Sequence, residues 1–211
     1  MGNDTTQLTF GEPEQLEFPF VETKPAAIIG LMGRRGSGKD TIAKAAQKLD
    51  DSVVRLAFGD GVKHEVAEVI GHSHVFLDEH KEQLRPLLQA WGTEYRRNLC
   101  DPHHWIKSLA KRLNGVNNES IVLITDVRFQ NEVDFIREQG GVVVRVVRDK
   151  EKYEPVDFHS SEINTDSIKP DAQFLNNGPT PEAMTKGVEK LIEWALDPTR
   201  MDIPRLEPSE N

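Results

Sequence analysis

The fold of this chain is decided by the stretch Gly33-Arg34-Arg35-Gly36-Ser37-Gly38-Lys39-Asp40-Thr41. Four residues separate Gly33 from the Gly38-Lys39 pair, which is the spacing of a phosphate-binding loop (P-loop). In such a loop, backbone N–H groups and a helix N-terminus surround a polyphosphate, and the lysine reaches its outer phosphates. An apolar run at residues 26–32 precedes the loop, and apolar residues at helical spacing follow it at Ile42, Ala45, Ala46 and Leu49. This context favours a phosphate site over an ordinary glycine-rich turn.

The loop departs from the usual pattern at one position. A serine or threonine normally follows the lysine and offers its hydroxyl to Mg²⁺. Here Asp40 takes that position and Thr41 comes one residue later. We therefore expect a carboxylate near the metal, bound to it directly or through water.

Length and charge limit the class of protein. The chain has 211 residues, of which 37% are hydrophobic, enough for one sizeable α/β core but not for two. We expect one domain at residues 25–197. The formal net charge is −9 and no basic block compensates for it, which disfavours nucleic acid as a partner. Anionic ligands must then be met by local clusters of Lys and Arg.

Cysteine content and hydropathy bear on the compartment. The single cysteine, Cys100, excludes an internal disulfide bond and fits a reducing compartment. No apolar run approaches the roughly 20 residues of a membrane span, and the N-terminus lacks the order of a signal peptide. We expect a soluble, cytoplasmic protein with no membrane partner.

The remaining apolar segments alternate between strand and helix patterns. This alternation predicts a parallel sheet of about five strands flanked by helices, with strands near residues 26–32, 52–58, 121–126, 142–147 and 172–175. A long helical insert is expected at about residues 60–114, broken near Asp101-Pro102. A polar stretch without periodicity predicts a short lid at about residues 149–169. We also expect a polar arm at residues 1–24, a last helix at residues 181–196 and an acidic tail at residues 198–211.

The strand at residues 121–126 ends in Asp126, and Arg128 follows it. Polar residues at the carboxyl ends of such strands face the ligand crevice. Asp126 is therefore a candidate to order Mg²⁺-bound water or the substrate. The alternative is that Asp126 only caps a helix at the edge of the core.

Several separated motifs together give the chain a family resemblance. It resembles the bacteriophage-type deoxynucleoside monophosphate kinases, P-loop members of the nucleoside monophosphate kinase group, over residues 28–196. The resemblance rests on the P-loop itself and on Ala57-Phe58-Gly59-Asp60 leading to Lys63, Gln89-Ala90-Trp91-Gly92-Thr93-Glu94 with Arg96 and Arg97, Trp105, Asp126-Val127-Arg128, His159-Ser160-Ser161-Glu162, and the turn Asn176-Asn177-Gly178. The family usually has proline where this chain has Gly61. Animal-type phosphomevalonate kinase is similar in the P-loop and in the Asp-x-Arg segment.

The resemblance implies ATP- and Mg²⁺-dependent phosphorylation of deoxynucleoside monophosphates, with Lys39, Asp126 and Arg128 as catalytic residues. It implies that ATP is bound by residues 33–41 together with Asn177 and Gly178, and that Mg²⁺ is bound by Asp40 and Asp126. The expected acceptor residues are Lys63, Arg85, Gln89, Trp91, Glu94, Tyr95, Arg96 and Arg97. The expected lid residues are Arg145, Arg148, His159 and Glu162.

Phosphoryl transfer to a phosphate needs positioning and charge neutralisation more than a strong base. The many Arg and Lys residues of these segments agree with that need, although Lys81, Lys150 and Lys152 are more typical of solvated faces. Arg85 and Gln89 lie four residues apart on one helical face, so one could hold the acceptor phosphate and the other its base. Trp91 or Tyr95 could stack on the base or crowd a ribose 2′-OH, whereas Trp105 is expected in the core. The histidine pairs His72/His74 and His103/His104 lack zinc-site spacing.

Two other functions remain open from the sequence. One is a kinase for a different small phosphorylated acceptor, such as phosphomevalonate. The other is a nucleotide-dependent switch or DNA-packaging accessory that binds ATP without phosphorylating a small acceptor. The partners expected are small nucleotides and, as an open alternative, a second copy in a homodimer.

Overall fold

The fold is that of a computed structural model, which describes residues 21–22, 24–148, 167–177, 180–197, 199 and 205–206. The expected arm at residues 1–20, most of the expected lid with His159 and Glu162, Gly178, and most of the tail lie outside the described residues.

The strands and helices alternate as the apolar pattern predicts. The strands are β1 Ala27–Met32, β2 Val53–Leu56, β3 Ile121–Val127, β4 Val142–Val147, β5 Ala172–Leu175 and β6 Arg205–Leu206. The helices are α1 Lys39–Leu49, α2 Phe58–Ile70, α3 His74–Glu79, α4 Lys81–Gln89, a π-helix Ala90–Cys100, α5 His104–Leu113, α6 Gln130–Glu138 and α7 Pro181–Leu196.

The six strands form one parallel sheet in the order β2-β3-β1-β4-β5-β6. The predicted α/β class is confirmed, and the five expected strands are present. The sixth strand is a two-residue addition from the expected tail, where Arg205 pairs with Gln173 of β5. Every residue of β1 is buried, which is typical of a central parallel strand with both faces covered. The P-loop therefore starts from the middle of the sheet.

Each face of the sheet has its own apolar layer. On one face, Leu31 packs in the same cluster as Ile42 of α1 and Leu191 of α7. On the other face, Ile28 packs with α5 and α6, in a cluster that contains Trp105. The predicted core position of Trp105 is confirmed, because its side chain is buried and its indole Nε1 donates to the Gly92 carbonyl at 2.7 Å. This bond fixes the π-helix against α5.

The insert between β2 and β3 differs in detail from the expected run of α-helix. The expected break at Asp101-Pro102 is present, but residues 90–100 form a π-helix. Its hydrogen bonds join residues five apart, so neighbouring side chains point in directions that an α-helical pattern does not predict. Gly61 belongs to α2 and faces α5 closely: a Cβ there would lie 2.8 Å from Ser108 Oγ and 3.1 Å from the Trp105 ring. Close packing of the two helices is thus the local reason for glycine where the family usually has proline.

Candidate active site

Three glycines shape the P-loop. Gly33, Gly36 and Gly38 all have positive φ, at 134°, 79° and 101°, which other residues rarely adopt. A Cβ on Gly38 would also lie 2.0 Å from Asn176 Nδ2. The loop leads into α1 at Lys39, so the N-terminus of α1 faces the loop as the sequence predicts.

Lys39 folds back over the loop. Its Nζ donates to the carbonyl oxygens of Gly33 at 2.6 Å and Arg34 at 2.9 Å, and lies 3.5 Å from Ser37 Oγ. These contacts hold the ammonium group against the backbone of its own loop.

Asn176 is a residue of this site that the sequence analysis missed. It follows β5, is 7% exposed, and its Nδ2 donates to the Ser37 carbonyl oxygen at 2.7 Å. Its backbone N–H is held by Val147 O at 2.7 Å. The Asn-Asn-Gly turn was the available signal, but it pointed to Asn177 and Gly178. Asn177 is exposed, and it is the neighbouring residue Asn176 that contacts the P-loop.

A cavity of about 300 Å³ joins the P-loop to the insert. Its walls bring together residues from β2, β3, α1, α2, α4 and the π-helix. The cations that line it are Arg35, Lys39, Arg55, Lys63, Lys81, Arg85, Arg97 and Arg128, and the carboxylates are Asp40, Asp60, Asp126 and Glu132. Gln89 also lines it, as predicted from its spacing to Arg85. The site is thus rich in positive charge although the whole chain is acidic.

Four expected acceptor residues do not line this cavity: Trp91, Glu94, Tyr95 and Arg96. Arg96 instead donates through Nε to Glu65 Oε2 at 2.6 Å and lies over the Trp91 ring. Tyr95 is 45% exposed. The π-helix is the physical reason, because it sends Arg97 into the cavity and Arg96 away from it.

Glu65 was not singled out in the sequence, yet it joins three helices. It accepts hydrogen bonds from the Trp91 indole at 2.9 Å, from Arg96, and from His104 Nε2 at 2.6 Å. Burial raises the pKa of the Glu65 carboxyl, but the hydrogen bonds from Trp91, His104 and Arg96 outweigh it and hold the pKa below its ordinary value. The cluster fastens the π-helix to α2 and α5.

Arg97 reaches the cavity as one half of a buried ion pair. Its Nη2 lies 2.5 Å from Oε1 of Glu132, which is 2% exposed, and its guanidinium stacks on Phe129 at 3.8 Å. The other Glu132 oxygen accepts the backbone N–H groups of Arg128 and Phe129. Burial raises the pKa of Glu132, and these three donors oppose that rise. Arg97 is therefore held rigidly at the cavity wall.

Asp126 lines the cavity and also caps α2. Its Oδ1 accepts the N–H of Phe58 and its Oδ2 the N–H of Gly59, both at 2.8 Å. A Cβ on Gly59 would lie 3.0 Å from Oδ2, so glycine permits this approach. The capping role named as the alternative is thus present, in the same carboxylate that faces the cavity.

Two arginines that line the cavity bind the same carboxylate. Arg35 of the P-loop and Arg85 of α4 each donate through Nη2 to Glu82 Oε1 at 2.8 Å. Within the described part of the chain, the buried Nε of Arg85 has no hydrogen-bond partner. Lys63 donates to Asp78 on α3 at 2.6 Å.

The expected lid contributes little to the described site. Arg145 on β4 donates to the Ile168 carbonyl oxygen at 2.5 Å, and Arg148 is exposed at the end of the described segment. Neither is among the residues that line the cavity.

The described residues contain neither a metal-binding cluster of three or more side chains nor a membrane-spanning helix. Among them there is no group of three or more His, Cys, Asp or Glu side chains that could hold a metal ion. No described helix is long and apolar enough to span a bilayer.

Comparisons with known proteins point to one family. A family model described as "Deoxynucleotide monophosphate kinase" matches residues 63–186, more than half of the chain. The "Putative deoxynucleotide monophosphate kinase" of Acanthamoeba polyphaga mimivirus is 31% identical over 179 residues, which cover 71% of this chain and 88% of that protein. The "Deoxynucleotide monophosphate kinase" of Escherichia phage RB69 is 30% identical over 111 residues, covering 52% of this chain and 44% of that protein.

Among solved structures, the APS kinase of Mycobacterium tuberculosis aligns with 81% of this chain and 99% of its own. Its TM-score of 0.38 and sequence identity of 16% are too low to bear on the fold or the function. The chain belongs to the deoxynucleotide monophosphate kinase family.

Proposed function

We propose that this protein transfers the γ-phosphoryl group of ATP to a deoxynucleoside monophosphate and releases the diphosphate. One observation carries the proposal: the P-loop lysine Lys39 and two arginines of the insert, Arg85 and Arg97, line a single cavity. The names of the family and of its viral relatives support this choice of acceptor over phosphomevalonate. The product would supply DNA precursors, and the organisms of the relatives favour the host cytoplasm as its compartment.

The reaction needs positioning and charge more than proton removal, because the attacking oxygen of the acceptor phosphate is already anionic. Lys39 would leave the Gly33 and Arg34 carbonyls and meet the transferring phosphate. Arg85 would bind the acceptor phosphate, since its buried Nε lacks a partner among the described residues. Arg128, which follows β3 beside Asp126, would neutralise charge between donor and acceptor.

Mg²⁺ fits the carboxylates on the P-loop side of the cavity. It is usually held by one or two carboxylates together with substrate phosphates and waters, so a three-carboxylate cluster is not required. Asp40 in the first turn of α1 and Asp126 at the end of β3 both line the cavity. When bound, the ion would neutralise charge on the phosphates. Asp40 and Asp126 are the residues that would hold the ion, directly or through water, and the two N–H groups that Asp126 accepts would fix the direction of its carboxylate.

Gln89 is the residue we assign to the acceptor base, because it lines the cavity one helical turn after Arg85. Trp91 and Tyr95 lie outside the cavity walls, so we do not propose that they stack on the base.

An ADP-release assay tests the function. It should be run with ATP and Mg²⁺ across the deoxynucleoside monophosphates, the matching ribonucleotides and phosphomevalonate. We expect turnover with at least one deoxynucleoside monophosphate and little with phosphomevalonate. Turnover only with phosphomevalonate would replace the acceptor, and ATP binding without turnover of any acceptor would favour a switch or accessory role.

A further inference from the structure

Arg55 lines the same cavity, although nothing in its local sequence marks it as a site residue. It lies in β2, close to the carboxyl end of that strand. In the sheet, β3 separates β2 from the P-loop strand β1. The cavity residues that follow Arg55 in the chain, Asp60 and Lys63, belong to α2 at the start of the insert. Arg55 thus lies in the cavity wall just before the chain enters the insert, close enough to Asp126 and Asp40 to interact with their charges.

Only one nitrogen of Arg55 is used within the described part of the chain. Nη1 donates to both Asp60 oxygens, at 2.8 Å each, while Nε and Nη2 donate to no described residue. Nε and Nη2 form one edge of the guanidinium, and their parallel N–H bonds match two oxygens of a phosphate. The side chain is 33% exposed, so a ligand in the cavity can reach that edge.

Asp60 does not fully neutralise Arg55, because a second arginine, Arg112, also contacts the Asp60 carboxylate. Arg112 contacts Asp60 Oδ2 at 3.3 Å through Nη1 and donates to the Ala57 carbonyl at 2.8 Å through Nη2. Arg112 is not among the residues that line the cavity. The three side chains therefore carry two positive charges and one negative charge, and the cation that faces the cavity is Arg55.

The arrangement also explains the segment Ala57-Phe58-Gly59-Asp60. The Ala57 carbonyl holds Arg112, the N–H groups of Phe58 and Gly59 hold Asp126, and Asp60 holds Arg55. The four residues of the segment together hold three charged side chains, Arg112, Asp126 and Arg55, at or behind the cavity wall.

We infer that Arg55 binds the phosphate group of the acceptor through its Nε–Nη2 edge, and that Asp60 and Arg112 are positioning residues that aim it. The identity of the acceptor rests on the proposed function. The observation that only Nη1 of Arg55 donates to a described residue does not depend on that function.

The test compares Arg55→Ala and Arg55→Lys with Arg137→Ala. Arg137 is a matched control, because it forms a 2.8 Å ion pair with Asp171 at similar exposure and is not among the cavity-lining residues. Calorimetry with deoxythymidine monophosphate and, separately, with a non-hydrolysable ATP analogue gives the two affinities. For Arg55→Ala we expect at least a tenfold loss for the monophosphate and less than twofold for the ATP analogue. Arg55→Lys should restore only part of the monophosphate affinity, since lysine lacks the two parallel N–H donors of a guanidinium. Arg137→Ala should change neither affinity.

An Asp60→Asn variant tests the positioning role. It leaves Arg55 in place but weakens its hold, so we expect a smaller loss of monophosphate affinity than in Arg55→Ala, with no loss for the ATP analogue. Full monophosphate affinity in Asp60→Asn would remove the positioning role.

Two results would overturn the assignment of Arg55. One is an unchanged monophosphate affinity in Arg55→Ala with a lower melting temperature, as a purely structural ion pair would give. The other is an equal loss for the ATP analogue. Wild-type protein that binds phosphate monoesters but phosphorylates no deoxynucleoside monophosphate would refute the proposed function. The Arg55 contact would then still be judged by the tenfold difference in monoester binding.

Discussion

Lys39 and Arg85 hold positive charge ready for a phosphate in two different ways. The Lys39 ammonium rests on backbone carbonyls of its own loop, and the Arg85 guanidinium shares the Glu82 carboxylate with Arg35. Glu82 is largely exposed, and exposed ion pairs contribute little to stability, so a phosphate can replace the Glu82 carboxylate at small cost. Both cations can therefore be transferred to substrate without disturbing the core.

We predict that Lys39→Ala abolishes phosphoryl transfer and leaves the fold intact. The lysine belongs to neither of the two apolar clusters, and we expect its charge to act at the transferring phosphate. Lys44→Ala, which removes an exposed charge from the same helix, is the control and should keep near-normal turnover. The measurements are turnover and melting temperature, and substantial activity in Lys39→Ala would contradict the P-loop assignment.

We predict that Arg85→Ala raises the KM for the acceptor by roughly ten- to a hundredfold, because a hydrogen bond to a charged group contributes about 1.5–3 kcal/mol. The affinity for an ATP analogue should stay within about twofold. Arg128→Ala should show the same bias toward the acceptor. Lys111→Ala on the exposed face of α5 removes an equal charge outside the cavity and should change neither value. Equal damage to donor and acceptor binding would mean that these arginines bridge the donor or only maintain structure.

At the scale of elements, the sequence predicts whatever is local. The P-loop, β3 with its terminal Asp126, and the bounds of β4, β5 and α7 follow from spacing within single segments. The hydrogen-bond partners of Glu65 and Asp60 could not be predicted in this way, because they are distant in sequence. His104 lies 39 residues from Glu65, and Arg112 lies 52 residues from Asp60. The π-helix was also missed, since apolar spacing cannot distinguish a bond to the fifth residue from one to the fourth. That difference decides which of Arg96 and Arg97 enters the cavity.

The Glu65 cluster gives a pH prediction for the insert. Its donors lower the pKa of Glu65 below the ordinary value of 4.5, so the cluster stabilises the fold fully above that pH and loses its effect as the pH falls through the folded-state pKa. Glu65→Gln should therefore lower the free energy of unfolding near neutral pH, by about 1–3 kcal/mol. The gap to the wild type should narrow below about pH 4.5. Urea denaturation at several pH values measures it, with Glu79→Gln, an exposed change, as the control. A gap independent of pH would mean that the Glu65 carboxylate charge does not hold the insert.

At the scale of the whole molecule, the protein combines an acidic net charge with a cation-lined cavity. The cavity lies where the P-loop, rising from the central strand, faces the helical insert. In the free protein, the P-loop and the insert are joined by the contacts of Arg35 and Arg85 with Glu82. A ligand that spans the donor and acceptor sites would add a second connection between the P-loop and the insert. Binding of a ligand at either site should therefore slow amide exchange in the insert more than in the sheet.

Hydrogen exchange with a bisubstrate analogue tests this view. The analogue would bridge Lys39 to Arg85 and Arg97, so amides of α4 and the π-helix should exchange more slowly in the complex. Peptides from the lid predicted at residues 149–169 should gain protection as well, if it closes over both substrates and excludes water. β3 is the internal reference, because nearly all of its residues are buried and its amides are already bonded in the sheet. Protection confined to the P-loop would show that the insert does not bind the acceptor. Unchanged exchange at residues 149–169 would show that this segment does not act as a closing lid.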